Sequence, residues 1–288
     1  MYDLLTVDWS LGNQCNLRCQ YCHWELHNGE NLFPNIETLQ SAFDHLVDRC
    51  RYFSLIRIEF SGGEPTLSQS TQELIVNNKN KNVEFKLVSN GTATHDWWLK
   101  AKEHLYEVIL TYHIQTDINH FINVIKLLDS TLLKVFVAIP ADSWDYGIEA
   151  YNTIKAVYKN THIQLLYKNF TRGNSIYQNY TKDQWKEYYH EQGIDISKAE
   201  IVEKTIEFKR VHNLNNYFGH LCWAGQNQIV IDNFGDVWRG WCKSNFCLGN
   251  VFTKTLELNT SPTLCPKPQC RNAFDLQARK SQGSWGMV

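Results

Sequence analysis

Leu55-Ile56-Arg57-Ile58-Glu59-Phe60 runs straight into Ser61-Gly62-Gly63-Glu64-Pro65-Thr66. The first six residues are apolar and strand-like. The paired glycines stop the strand, and Pro65 suits the first turn of a helix, where its missing N–H would be unpaired anyway. A strand, a tight glycine turn and a helix start in one stretch of twelve residues is the beginning of a β-turn-α unit, and the chain repeats that unit on both sides.

Upstream, Leu4 to Leu11 alternates polar and apolar positions, and Asn35 to Arg51 places Ile36, Leu39, Phe43, Leu46 and Val47 on one helical face. Downstream, the pattern predicts strands at Val83–Ser89, Tyr106–His113, Lys134–Pro140 and His162–Tyr167. The intervening helices are predicted near Asp96–His104, Ile118–Leu128 and Tyr146–Lys159. Six strands alternating with helices imply a parallel sheet, and right-handed crossovers curl such a sheet toward a barrel or partial barrel. Function in such folds collects at the C-terminal strand ends. The rhythm then breaks. Asn169 to Gly219 is polar and tyrosine-rich, with one helix predicted over Asp183–Gln192, and either connects the two halves or covers the barrel mouth. In the last quarter, short strand-like pieces (Gln228–Ile231, Asp236–Trp241) flank Asn233-Phe234-Gly235, a hairpin signal. The expected fold is therefore α/β: a partial (β/α)6 barrel with a small C-terminal cysteine-rich β-hairpin module. The expected boundaries are 1–168 for the barrel, 169–219 for the connecting or capping segment and 220–288 for the module.

Chemistry enters with Cys15-Asn16-Leu17-Arg18-Cys19-Gln20-Tyr21-Cys22, in the loop that follows the first strand. Three thiols spaced three and then two residues apart suit three corners of one metal cluster. Zinc is the alternative, but closed structural zinc sites take four ligands, commonly from paired CxxC knuckles. Here three cysteines stand without a matching pair, and His23, next to Cys22, is awkwardly placed as a fourth ligand. A cubane cluster held by three thiolates keeps one iron open.

The chain has a net charge of −2 and scattered basic residues, which gives no reason to expect nucleic-acid binding. Its 43% hydrophobic and 20% charged residues exclude a disordered chain. The apolar runs are too short to span a membrane, and the first residues lack the basic and apolar regions of a secretion signal. The expected location is cytoplasmic, where nine cysteines argue for metal ligation rather than disulfides.

The cysteine triplet followed by Gly62-Gly63-Glu64-Pro65 resembles the radical S-adenosylmethionine (SAM) superfamily, over roughly residues 1–170. The resemblance implies that Cys15, Cys19 and Cys22 hold a [4Fe–4S] cluster whose fourth iron chelates SAM, and that a 5′-deoxyadenosyl radical takes a hydrogen atom from substrate. It places Tyr21 near the adenine, Gly62, Gly63 and Pro65 in the turn around the methionyl end, and Glu64 near its ammonium. Asn90, Thr111 and His113 fall where ribose or carboxylate contacts are expected, or are simply polar residues at strand ends. The pattern of Cys222, Gly235, Cys242, Leu248-Gly249-Asn250-Val251, Cys265 and Cys270 resembles the SPASM/twitch extensions of that superfamily. That implies a second, auxiliary [4Fe–4S] cluster on Cys222, Cys242, Cys265 and Cys270, with a structural zinc as the alternative. Cys247 either replaces one of the four, takes part in turnover as a thiol, or is buried. Cys50, on an apolar helix face, is expected in the core.

The activity implied is modification of a peptide or protein side chain by oxidation or crosslinking, with an external electron donor such as flavodoxin or ferredoxin. Oxidation or rearrangement of a small metabolite (an aminocyclitol, sugar or nucleoside) is the second reading, and a non-catalytic iron–sulfur electron carrier the third. With the first strand starting at residue 4, no peptide-recognition domain is expected ahead of the barrel. A peptide would then bind the barrel itself or arrive with a separate protein.

Overall fold

The computed structural model describes residues 3–22, 29–30, 32–128, 132–166, 180–195, 216–244, 246–268, 270 and 272–281. The predicted alternation is present: β1 (Leu4–Ser10), α1 (Ile36–Arg49), β2 (Leu55–Ser61), α2 (Gln69–Asn77), β3 (Val83–Ser89), α3 (His95–Ala101), β4 (Leu105–Tyr112), α4 (Ile118–Leu127), β5 (Leu132–Ile139), α5 (Trp144–Val157) and β6 (Thr161–Leu165). Helix starts are set by short polar side chains. Asn35 accepts from the Thr38 N–H, Ser68 from that of Thr71, Thr94 from that of Trp97 and Asp117 from that of Asn119. Pro65 opens a 3-10 turn (Pro65–Leu67) rather than α2 itself, with Glu64 capping that turn and Ser68 starting the α-helix.

β1 to β6 pair in parallel, in spatial order. The sheet then extends beyond the six expected strands. β8 (Gln228–Ile231) lies parallel to β1 on its free side, and β9 (Val237–Trp238) pairs antiparallel with β8, giving the order β6-β5-β4-β3-β2-β1-β8-β9. The hairpin turn at Asn233–Gly235 forms as predicted, with β9 shorter than the Asp236–Trp241 piece. The hairpin is built onto the large sheet. A separate three-stranded sheet joins β7 (Leu221–Cys222), β10 (Thr263–Leu264) and β11 (Lys280–Ser281) in the order β10-β7-β11.

One face of the large sheet is apolar and covered by helices. Leu5, Val7 and Trp9 of β1, Ile56, Ile58 and Phe60 of β2, and Phe85 and Leu87 of β3 are buried there with Leu39 and Leu46 of α1. The alternate positions carry charge. Lys86 bridges Glu59 (2.5 Å) and Glu107 (3.0 Å), Lys134 meets Glu107 (2.9 Å), and Arg57 meets Glu84 (2.8 Å). Parallel sheets buried on both faces read as nearly continuous apolar runs. This two-faced pattern instead marks a polar side, with a row of acids and bases crossing β2 to β5.

Asp8 is the acid of that row on β1. It is buried, with Ser61 Oγ donating to Oδ1 at 2.5 Å and Trp241 Nε1 donating to Oδ2 at 2.6 Å. Burial first, and then the charge of Glu59, pushes its carboxyl up to about 7. A carboxyl that holds its proton more tightly when folded than when unfolded costs stability as pH rises from about 4 through about 7. Asp8→Asn keeps an acceptor for Trp241 and removes that cost. Its melting temperature relative to wild type should rise between pH 5 and pH 8, and a pH-independent difference would contradict the assignment.

The helix predicted over Asp183–Gln192 is α6 (Lys182–Glu191), opened by a capping box of Thr181 and Gln184. It docks on α5, where Trp144 Nε1 donates to Glu187 (2.7 Å) and Lys155 and Tyr151 both reach Glu191 (2.7 and 3.0 Å). Tyr180 Oη donates to the Ile139 carbonyl and accepts from Leu166 N, tying together the ends of β5 and β6. Most of the rest of the predicted capping segment, residues 169–179 and 196–215, lies outside the described residues, as does His23. Among the described residues, no helix is long and apolar enough to cross a membrane.

Candidate functional site

The features predicted for the C-terminal strand ends meet on one rim. The cysteine loop leaves β1, the glycine turn leaves β2, Ser89-Asn90-Gly91 closes β3, and His113 follows β4. The first two are zipped together through backbone. Leu11 N donates to Ser61 O (3.1 Å), Gly63 N to Gly12 O (2.8 Å) and Glu64 N to Gln14 O (2.7 Å). A Cβ on Gly62 would lie 2.5 Å from Gly12 O, and one on Gly63 would lie 2.1 Å from Gln14 O. The missing side chains therefore let the turn press on the backbone that leads into Cys15.

Glu64 is 1% exposed, and its carboxylate is filled by the protein. Oε1 accepts from Thr66 N, Thr66 Oγ1 and Ser89 Oγ at 3.1, 2.6 and 2.8 Å, and Oε2 accepts from Asn90 N at 2.7 Å. Burial raises its pKa, against the pull of those donors. The residue fastens the end of β2 to the end of β3. Asn90 continues the connection: its Nδ2 donates to Asn16 Oδ1 (2.9 Å) and reaches Cys15 Sγ at 3.8 Å, while Asn16 donates to Thr92 Oγ1 (2.8 Å).

On the other side of the loop, Tyr21 Oη lies 2.6 Å from His113 Nδ1, with the rings stacked at 5.9 Å. Burial holds His113 down at about 4, so near neutral pH the ring is uncharged and shares a hydrogen bond with the phenol whose direction follows from the ring tautomer. Cys19 Sγ lies 3.8 Å from the same nitrogen and 3.4 Å from Gln115 Oε1. Thr111 sits half-buried in β4, opposite Phe136 of β5. Asn16 and Gln115, which carry no motif of their own, were not foreseen. Burial, followed by the charges of Glu64 and Cys19, raises the Cys15 thiol, and burial raises Cys19. Such thiols are poor nucleophiles, and a cation bound to them reverses the balance and ionises them. The donor set thus fits a multi-iron cluster better than thiol chemistry.

The second group converges as well. Cys222 at the end of β7, Cys242 after β9, and Cys265 and Cys270 after β10 line one hollow, together with Arg239, Lys267, Asp275 and Lys280. Burial, before all other causes, pushes Cys270 up to about 12 and raises Cys242. Asp275, at the short helix Ala273–Gln277, fixes the Cys242 corner: its Oδ1 accepts from Trp241 N (2.8 Å) and its Oδ2 from Cys242 N (2.9 Å). Gly240 makes room for it, since a Cβ there would meet Oδ1 at 2.7 Å. Cys247 is exposed and not among the residues lining the hollow. Its thiol points at the carbonyls of Val237 (3.3 Å) and Gly249 (3.1 Å). Cys50 is fully buried in the core behind α1, as expected. Among the described residues, no three His, Cys, Asp or Glu side chains are grouped to hold a single metal ion.

No protein-family model matches the chain. By sequence it is 36% identical over 98 residues to a probable GTP 3′,8-cyclase of Methanococcus aeolicus, covering 33% of this chain and 32% of that protein. It is 28% identical over 179 residues to a cysteine-type anaerobic sulfatase-maturating enzyme of Clostridium novyi, covering 56% and 46%. Each match thus spans less than half of the relative's length. Among solved structures, native anSMEcpe with bound AdoMet superposes with a TM-score of 0.61 at 16% identity, over 88% of this chain and 81% of that one. Streptococcus suis SuiB bound to precursor peptide SuiA superposes with a TM-score of 0.56 at 14% identity, over 88% and 63%. The cysteine triplet and the Gly-Gly-Glu-Pro turn thus interlock on the rim of a partial barrel whose fold is shared with these solved structures, and part of the chain is similar in sequence to the enzymes named above.

Proposed function

We propose that the chain is a radical SAM enzyme that oxidises or crosslinks a side chain of a peptide or protein, using a second iron–sulfur cluster in its C-terminal part. Cys15, Cys19 and Cys22 would hold the first [4Fe–4S] cluster, with SAM on the open iron beside Tyr21, Gly62, Gly63, Glu64, Pro65, Asn90, Thr111 and His113. Bound there, cluster and cofactor supply a 5′-deoxyadenosyl radical for hydrogen-atom abstraction. The barrel rim orients the reactants and excludes water, and the charged face of the sheet receives the substrate.

The observation that carries this reading is the convergence of Cys222, Cys242, Cys265 and Cys270 on one hollow, from positions up to 48 residues apart in the chain. A SPASM/twitch-like auxiliary [4Fe–4S] cluster there would give substrate oxidation an electron acceptor. The names of two similar proteins, a sulfatase-maturating enzyme and SuiB bound to its precursor peptide, favour a peptide or protein substrate. A small metabolite is the second reading, favoured by the match to a protein named for its action on GTP. Electrons would come from a flavodoxin or ferredoxin.

Anaerobically reconstituted protein should contain about eight iron and eight sulfide per chain, two cubanes' worth. With SAM and dithionite it should release 5′-deoxyadenosine. About four of each with one zinc would remove the auxiliary cluster, and a fully loaded sample that yields no 5′-deoxyadenosine would overturn the enzyme assignment.

A further inference from the structure

Among the described lysines and arginines, Arg239 is the one that is buried. It is 2% exposed, its Nη2 donates to the Cys222 carbonyl at 3.3 Å, and its Nη1 is buried with no hydrogen-bond partner. Guanidinium stays charged at any working pH. A buried charge with an idle N–H is costly unless something anionic meets it. The residue lines the same hollow as Cys222, Cys242, Cys265 and Cys270.

The other charged groups at that hollow are already engaged. Lys280 Nζ donates to the carbonyls of Asp275 (2.7 Å) and Ala278 (2.9 Å), and both Asp275 oxygens accept from backbone N–H groups. Lys267 is exposed to solvent. The Asp275 carboxylate feels the guanidinium's charge, yet Nη1 is left without a hydrogen-bond partner, so among the described residues Arg239 is the buried cation with a donor to spare, beside four thiols.

We propose that Arg239 is a positioning residue for the auxiliary cluster: its Nη1–H donates to the cluster's sulfur atoms and its charge raises the cluster's reduction potential. The inference rests on the auxiliary cluster assigned above. Four thiolates around a 2+ cubane core sum to −2, and one added electron makes −3. A fixed cation in a low-dielectric hollow stabilises the second state more than the first, and cluster potentials respond to net charge and to hydrogen bonds at sulfur. The reduction takes up one electron and no proton, because arginine has none to exchange.

The experiment uses the full chain with Cys15, Cys19 and Cys22 changed to alanine, so that any iron–sulfur signal comes from the C-terminal site, and follows the reduced cluster by EPR in a redox titration. Arg239→Gln should shift the reduced-to-oxidised ratio at fixed poise at least tenfold toward oxidised, about 59 mV for a one-electron couple. Arg239→Lys, which keeps the charge but not the planar fork, should fall between. Full iron loading with an unchanged midpoint overturns the role of Arg239 and leaves the cluster standing. Absence of iron from the parent variant overturns the cluster and this inference together. Should Arg239→Gln not fold, the parent variant grown with 15N-guanidino arginine decides the matter. A 15N hyperfine coupling to the reduced cluster that vanishes in Arg239→Lys supports the contact, and no coupling in the parent refutes it.

Discussion

Cys19→Ala should abolish 5′-deoxyadenosine formation and cut the iron content by about half, from about eight to about four per chain. Cys19 is 6% exposed and sits between His113 and Gln115 in the middle of the triplet. Losing one sulfur atom at this spot creates a small void, at a stability cost of about 1 kcal/mol, so the protein should remain folded and soluble. The fall in product should exceed the ~10–100-fold typical of removing a group that only hydrogen-bonds to a ligand. Cys50→Ala is the matched control. It also removes a buried thiol, but from the core behind α1, and should lose some stability while keeping product formation. Wild-type turnover by Cys19→Ala would show that the triplet does not hold the reactive cluster.

Gly63→Ala should be the most damaging single methyl group on the rim. Its new carbon would stand 2.1 Å from the Gln14 carbonyl oxygen, a backbone atom that already accepts the Glu64 N–H at 2.7 Å. Neither partner is the end of a flexible side chain, so the glycine turn and the cysteine loop must separate. Overpacking of this kind costs about 1–3 kcal/mol, and the upper end is expected. Because the displaced residues lead into Cys15, iron at the N-terminal site should fall along with stability. Gly193→Ala provides the contrast: its φ is +66°, but nothing lies within 4 Å of the added carbon. It should cost only the roughly 1–2 kcal/mol of a left-handed alanine and leave iron binding untouched. Denaturant titration and iron analysis of the two variants separate these outcomes. Equal behaviour would mean that the two loops are not interlocked.

Local pattern carried the reading of the barrel. β3 matches its predicted span, and the other five strands begin and end within two residues of theirs, because strand alternation and helical spacing are set by neighbours in sequence. The hairpin at Asn233–Gly235 was legible for the same reason. Its place in the sheet was not. The contact of Thr6–Trp9 with Gln228–Ile231 joins segments about 220 residues apart, and alternation alone does not say which free edge a strand will join. The glycines were legible as a turn. That they yield to the backbone of residues 12–14, and that Glu64 spends its carboxylate on Thr66, Ser89 and Asn90, depends on which loops meet above the sheet.

Read alone, then, the chain defined the strands of its barrel, their parallel order and which cysteines were candidates for metal, since these follow from spacing along the backbone, whereas the short strands β7, β10 and β11 were not foreseen. Folding in three dimensions settled how those pieces share space. It placed β8 against β1, set Asp8 under the indole of Trp241, gathered four thiols from the last quarter into one hollow, and left Arg239 among them with a donor unspent. The physical reason is range: propensity and periodicity act over a few residues, whereas burial, close approach and charge pairing act between whatever surfaces the fold brings together.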